Sequence, residues 1–196
     1  MKFLFDLGGI FFDWDPKFFY KSIFNSENEL NFFLNEVCND DWNLLHDSGV
    51  PIAEGEKEYI AKYPKYKDQI KMFFPNHRKM IKGTFKSSID QLALLKSKNY
   101  LCYVLSNWSA ETFVGMKENY PFLNKFDGMI ISGEHKMIKP NKNIYELAIK
   151  KFNLIPQETL FIDDKIENIQ TAKLLGFKTI HLINPLKIKE EIIKLI

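Results

Sequence analysis

Five polar residues carry the chemistry that this chain could do: Asp6, Ser106, Lys139 and the pair Asp163-Asp164. Asp6 follows Phe3-Leu4-Phe5, Ser106 follows the apolar run 101–105, and Asp163 follows Thr159-Leu160-Phe161-Ile162. Short apolar runs that stop at a polar residue read as buried parallel strands. Open α/β sheets bind ligands beyond the carboxyl ends of their strands. Three such ends would bring three carboxylates, a hydroxyl and the Lys139 amine to one crevice. Phosphoryl transfer through a carboxylate nucleophile with one Mg²⁺ needs that collection.

Each residue alone is weaker evidence. Asp6 can attack a phosphoryl group and form an aspartyl phosphate, but aspartates also end strands and cap helices. Gly8-Gly9 lets the backbone turn tightly and approach a ligand or metal. Ser106-Asn107 lies between a strand and an expected helix that Ser109 would cap. The Ser106 hydroxyl and neighbouring N–H groups could there hold phosphate oxygens. Lys139 would neutralise charge between nucleophile and phosphate, with Lys136 as a rival. Asp163-Asp164 is the stronger local signal, because adjacent acids repel unless a cation sits between them. Oxygen donors in small number fit Mg²⁺.

The elements that must position these residues follow from periodicity. Strands are expected at 101–105, 127–131, 159–162 and 178–182, alternating with helices. One helix starts near Asn141 with Ile144, Leu147, Ala148 and Lys151 on one face; another carries Ile166, Ile169, Ala172 and Leu175 and stops at Gly176. A last helix carries Ile188, Ile192 and Ile196. The expected fold is α/β, a Rossmann-like doubly wound parallel sheet. Residues 14–83 differ: they show no strand pattern, and Phe19, Ile23, Leu30, Phe33, Leu34 and Val37 recur at helical spacing. Roughly 70 residues exceed an ordinary βα connection, so the expectation is a catalytic core of 1–13 and 84–196 with a helical cap inserted at 14–83. Trp42, Asp47 and Gly49 are read as fixing helix packing and a turn in that cap, with substrate recognition as the minority reading.

Composition removes several classes. The 27 basic and 25 acidic residues give a net charge of +2, too little to imply a nucleic-acid or membrane partner. A hydrophobic share of 45% supports a sizeable core. Cys38 and Cys102 lie far apart outside any CxxC motif, which points to a reducing, cytoplasmic setting. His46, His77, His135 and His181 have neither HExxH spacing nor a serine partner, against a zinc site or a Ser-His-Asp triad. No glycine pattern matches a dinucleotide or Walker A loop. A monomer or weak homodimer acting on a small phosphorylated metabolite is expected.

With these residues in place, the chain resembles the haloacid dehalogenase superfamily along essentially its whole length. Phe5-Asp6-Leu7-Gly8-Gly9 looks like its first motif, Leu105-Ser106-Asn107 its second, Lys139-Pro140 its third and Phe161-Ile162-Asp163-Asp164 its fourth. Asn168 and Ala172 follow the last. The resemblance implies a C1-type cap and Mg²⁺ held by the Asp6 side chain, the Gly8 carbonyl and Asp164, with Asp163 in support. It also implies catalytic roles for Asp6 and Lys139 and phosphate binding by Ser106 and Asn107. Phe12-Asp13-Trp14-Asp15-Pro16 and Ser106-Asn107-Trp108-Ser109 look like the branch holding sugar-1-phosphate phosphatases and the N-terminal domain of soluble epoxide hydrolase. One departure stands out. Most phosphatases of the superfamily carry an acid–base aspartate two residues after the nucleophile, and here that residue is Gly8. Asp13, His46 or a water are the candidate substitutes. A 2-haloacid dehalogenase and a binding or regulatory protein with weakened turnover are the alternative functions.

Overall fold

The computed structural model describes residues 1–195. Its centre is a five-stranded parallel sheet made of β1 (Lys2–Phe5), β4 (Leu101–Ser106), β5 (Gly128–Ile131), β6 (Thr159–Asp163) and β7 (Lys178–His181). The order is β5-β4-β1-β6-β7. Central β1 pairs with β4 on one side and β6 on the other. The chain moves outward from β1 to β5, then returns across β1 to build β6 and β7. That reversal opens the crevice at the carboxyl ends of β1, β4 and β6.

Both faces of the sheet are covered, and strand alternation sorts the side chains between them. Phe3, Phe5, Val104, Leu160 and Ile162 pack against Leu92 and Leu95 of α6 (Lys86–Ser97) and Ile188 and Ile192 of α12 (Ile188–Ile193). Leu4, Tyr103, Leu105 and Phe161 pack on the other face, against α10 (Lys142–Phe152) and α11 (Ile166–Leu174). On α10 the inward residues are Ile144, Tyr145, Ala148 and Phe152. Lys151, expected on that face, is exposed, because the aromatic residues give up more water-accessible apolar area on burial. Gly176, at φ +88°, follows α11. Ile196, expected at the end of the last helix, lies outside the described residues.

Residues 17–80 contain α1 (Lys17–Tyr20), α2 (Glu27–Phe32), α3 (Asp40–Asp47), α4 (Ile52–Lys62) and α5 (Lys67–Met72). They enclose a separate apolar cluster around Tyr20, Phe33, Trp42, Ile70, Phe73 and Met80. Trp42 packs edge-on or tilted against His46, Tyr59 and Phe74, a packing role. The stretch 14–83 is not free of strands, however. An antiparallel ribbon of β2 (Phe12–Trp14) and β3 (Ile81–Thr84) joins it to the sheet domain. Strands of three and four residues are too short for their alternation to register, and Gly83 weakens the signal further.

Residues 110–135 include α7 (Ala110–Phe113), α8 (Met116–Asn119) and α9 (Ser132–His135). Three hydrogen bonds fasten the helical segment there. The Ser132 hydroxyl donates to the Asp47 carbonyl at 2.6 Å, the Ile52 N–H to Glu111 Oε1 at 2.8 Å, and Arg78 Nη2 to the Val114 carbonyl at 2.9 Å. Gly49, at φ +92°, approaches so closely that a Cβ would lie 3.0 Å from the Gly133 carbonyl oxygen. The expected turn at Gly49 is therefore also a contact point.

Candidate active site

Asp6 is the first residue past β1, and its N–H still donates to the Ile162 carbonyl at 2.9 Å. This extension of the sheet ladder sets its side chain at the crevice. Lys139 arrives from the loop before α10 and is almost wholly buried. Its Nζ lies 2.6 Å from Asp163 Oδ2 and 2.8 Å from Asp6 Oδ1. The Asp163 contact is a hydrogen bond, whereas the Asp6 contact is a close ion pair without hydrogen-bond alignment. Burial alone would drive the Lys139 proton off, but the Asp163 and Asp6 charges overcome it and raise its pKa. Lys139 is a fixed cation. Lys136, its rival in the sequence, is exposed at the end of α9.

Asn107, expected to bind phosphate, holds this lysine segment in place. Its Nδ2 donates to the Lys139 carbonyl at 2.9 Å and its Oδ1 accepts from the Lys139 N–H at 2.8 Å. Ser106 is buried beside Asp6, with no aligned hydrogen-bond partner for its hydroxyl among the described residues. An orphaned buried hydroxyl of this kind suits an incoming ligand oxygen. Ser109 precedes α7 without a side-chain cap, and that helix has only four residues. The anion-binding dipole expected there is correspondingly small.

Asp163 is entirely buried and saturated by protein donors. Its Oδ1 accepts from the Lys165 N–H at 2.8 Å and from Asn168 Nδ2 at 3.0 Å; its Oδ2 takes Lys139. Asp164 instead is half-buried and lines the cavity beside Asp6, Gly8 and Gly9. Its carboxyl is pushed up to about 7 by burial and by the Asp6 and Asp163 charges. Burial also raises the Asp6 pKa, against the pull of Lys139. One carboxylate oxygen from each of Asp6, Asp163 and Asp164 lies within 4.8 Å of the others. Carboxylates this crowded, with a single buried ammonium among them, are short of positive charge. The donors are hard oxygens, which fits Mg²⁺ better than zinc.

The site opens into a cavity of about 410 Å³ between the sheet and the helical segment. Phe12, Trp14, His77, Phe85 and Trp108 supply an aromatic wall, and Asp13, Asp40, Asp41 and Asp47 an acidic one. Burial and the adjacent Arg78 charge lower the His77 pKa to about 4, so its ring is neutral at pH 7. His46 does not reach the cavity. It is enclosed by Trp42 and Phe74, with Nδ1 3.0 Å from the Val50 carbonyl. For Asp47 a place at the substrate was only the minority reading of the sequence, and no local pattern marks His77 as a cavity residue. They reach the cavity only through the way α3 and the segment before β3 pack over the sheet.

The haloacid dehalogenase-like hydrolase family model matches residues 17–182. A sesquiterpene phosphatase of Aspergillus oryzae is 27% identical over 93% of this chain and 90% of its own length. A D-ribitol-5-phosphate phosphatase of Bacteroides thetaiotaomicron is 35% identical over 42% of this chain and 43% of its own. The structure of a haloacid dehalogenase family enzyme from B. thetaiotaomicron, in complex with magnesium and inorganic phosphate, superposes with a TM-score of 0.69. It is 26% identical and covers 91% of this chain and 92% of that one. With the parallel sheet and the order of its four motifs, these matches establish that the chain belongs to the haloacid dehalogenase-like hydrolase family.

Proposed function

We propose that this protein is a Mg²⁺-dependent phosphatase of a small phosphorylated metabolite, working through an aspartyl phosphate on Asp6. The observation that carries this reading is the Lys139 ammonium held 2.8 Å from Asp6 Oδ1, in a cavity that Asp164 also lines. Asp6 is the nucleophile, and its carboxylate attacks phosphorus. Lys139 keeps that carboxylate ionised and orients it, while Asp163 and Asn107 keep Lys139 in place. Ser106 offers its free hydroxyl to a phosphoryl oxygen. Asp6, Asp164 and the Gly8 carbonyl would hold Mg²⁺, with Asp163 behind them. When bound, the ion supplies positive charge against the substrate phosphate. Residues 14–83 form the cap that closes the cavity and selects the substrate.

The cavity wall supports a monophosphate without a second negative charge, because Asp13, Asp40, Asp41 and Glu167 line it with only Lys139 and Lys165 as cations among the described residues. The same wall disfavours a 2-haloacid, whose carboxylate it would repel. Hydrolysis of p-nitrophenyl phosphate with Mg²⁺ and with EDTA, beside chloride release from 2-chloropropionate, tests the reading. Asp6→Asn should be folded and inactive, and Asp164→Ala should lose the rise in melting temperature that Mg²⁺ brings. An Asp6→Asn protein that retains a substantial share of the wild-type rate refutes the mechanism.

A further inference from the structure

Gly8 leaves the leaving group without the acid that the resemblance leads one to expect. The neighbouring space is open: a Cβ at Gly8 would meet only Asp6 Oδ2, at 3.9 Å. Of the candidates named from the sequence, His46 is sealed inside the cap and does not line the cavity. His77 does line it, but its neutral ring holds no acidic proton to give at pH 7. Asp40, Asp41 and Glu167 are exposed, and Asp13 is half-exposed on the ribbon.

Asp47 differs from all of these. It ends α3, is only 6% exposed, and still lines the cavity that Asp6 and Lys139 line. Asn43 Nδ2 donates to its Oδ2 at 3.1 Å, and the Ser132 hydroxyl holds its backbone carbonyl. Ser132 Oγ in turn accepts from the Trp108 N–H at 2.9 Å, which ties Asp47 to the loop after Ser106. The cap thus delivers one buried, oriented carboxyl to the core. Burial pushes that carboxyl up to about 7, against the Ser109 backbone N–H, with the Asp6 charge adding to the rise and Lys139 opposing it.

Resting on the phosphatase reading, we propose that Asp47 is the catalytic acid and base of the reaction, taking the role absent at Gly8. As an Asp6 oxygen bonds to phosphorus, the bond from phosphorus to the leaving oxygen breaks, and the Asp47 proton passes to that oxygen to give the alcohol. The resulting Asp47 carboxylate then takes a proton from the water that attacks phosphorus. This step releases phosphate and restores both the Asp6 carboxylate and the Asp47 carboxyl.

The test is kcat/KM for p-nitrophenyl phosphate and for a simple alkyl phosphate, with Mg²⁺, in wild type, Asp47→Asn, Gly8→Asp and the double variant. An alkyl oxygen needs the proton and nitrophenolate does not. Asp47→Asn should therefore lower the alkyl value by about 10²–10⁴-fold and the aryl value by less than about tenfold. Gly8→Asp in the Asp47→Asn background should restore alkyl turnover, and in wild type it should add little. Equal losses on both substrates would reduce Asp47 to a structural fastener and overturn the proposal. So would selective alkyl loss in Asp13→Asn and not in Asp47→Asn. If Asp47→Asn does not fold, Gly8→Asp alone decides: a gain of about 10²-fold or more on the alkyl substrate means no acid was in place. A wild type that hydrolyses neither ester with Mg²⁺ refutes the phosphatase reading itself, a separate outcome.

Discussion

Gly8 and Gly9 occupy the same turn, yet alanine at the two positions should have opposite consequences. Gly9 has φ +65°, and a Cβ there would lie 2.5 Å from Asp164 Oδ2 and 2.7 Å from Asp164 Cγ. The left-handed conformation costs a non-glycine residue roughly 1–2 kcal/mol. Asp164 must also move, although its backbone is tied to β7 through a 2.9 Å contact between its carbonyl and His181 Nε2. Gly9→Ala should therefore cost about 1–3 kcal/mol in total. At about 2–4 °C per kcal/mol for a chain of this size, the melting temperature should fall by roughly 2–12 °C. At Gly8 the added methyl group makes one ordinary contact, so Gly8→Ala should stay within about 0.5 kcal/mol of wild type. Thermal melts of both variants in EDTA and across a Mg²⁺ titration are the assay. Gly9→Ala should also show a weakened response to Mg²⁺, because its methyl group displaces Asp164. Equal melting temperatures and equal Mg²⁺ responses in the two variants would refute both the turn geometry and the placement of Asp164.

Lys139→Met leaves Asp6 and Asp163 buried without their counter-charge. Urea denaturation should show a loss of about 3–5 kcal/mol, and Mg²⁺ should recover part of it. The pH dependence of stability in EDTA has a defined sign. Asp47 and Asp164 are both held at about 7, above their ordinary value of 3.8, so the folded chain keeps protons that the unfolded chain has released. Their contribution is complete below about pH 4 and is lost as pH rises through about 7. The lowered pKa values of His46 and His77 act oppositely, an effect that fades over about one pH unit above their ordinary value of 6.5. Between about pH 6.5 and 8 the two carboxyls outweigh the fading histidine effect, and metal-free stability should fall by on the order of 1 kcal/mol. Chemical denaturation at three pH values checks this. A rise in stability over that interval would contradict the burial of these carboxyls.

The strand ends were legible in the sequence because a buried parallel strand is a local pattern: a short apolar run that must stop where the chain meets the crevice. Asp6, Ser106 and Asp163 could be placed at the crevice for that reason, and the alternation after Leu101 implied the doubly wound sheet. Lys139 is singled out by the resemblance, but what holds it in place, the Asn107 clamp, is a contact 32 residues away in the chain. The resemblance implies a phosphate role for Asn107, whereas no local rule tells its side-chain amide that it will bind the Lys139 backbone. The ribbon of β2 and β3 pairs segments about 70 residues apart and has too few residues to show a period. The resemblance implies different roles for Asp163 and Asp164, but no local pattern separates them, since adjacent identical residues differ only in what surrounds them. Sequence determined which chemical groups reach the carboxyl end of the sheet, because that follows from where each strand stops. Tertiary packing alone decided which carboxyl is saturated, which opens to the cavity, and that the helical segment brings Asp47 to it, because charge state and reach are set by neighbours distant in the chain.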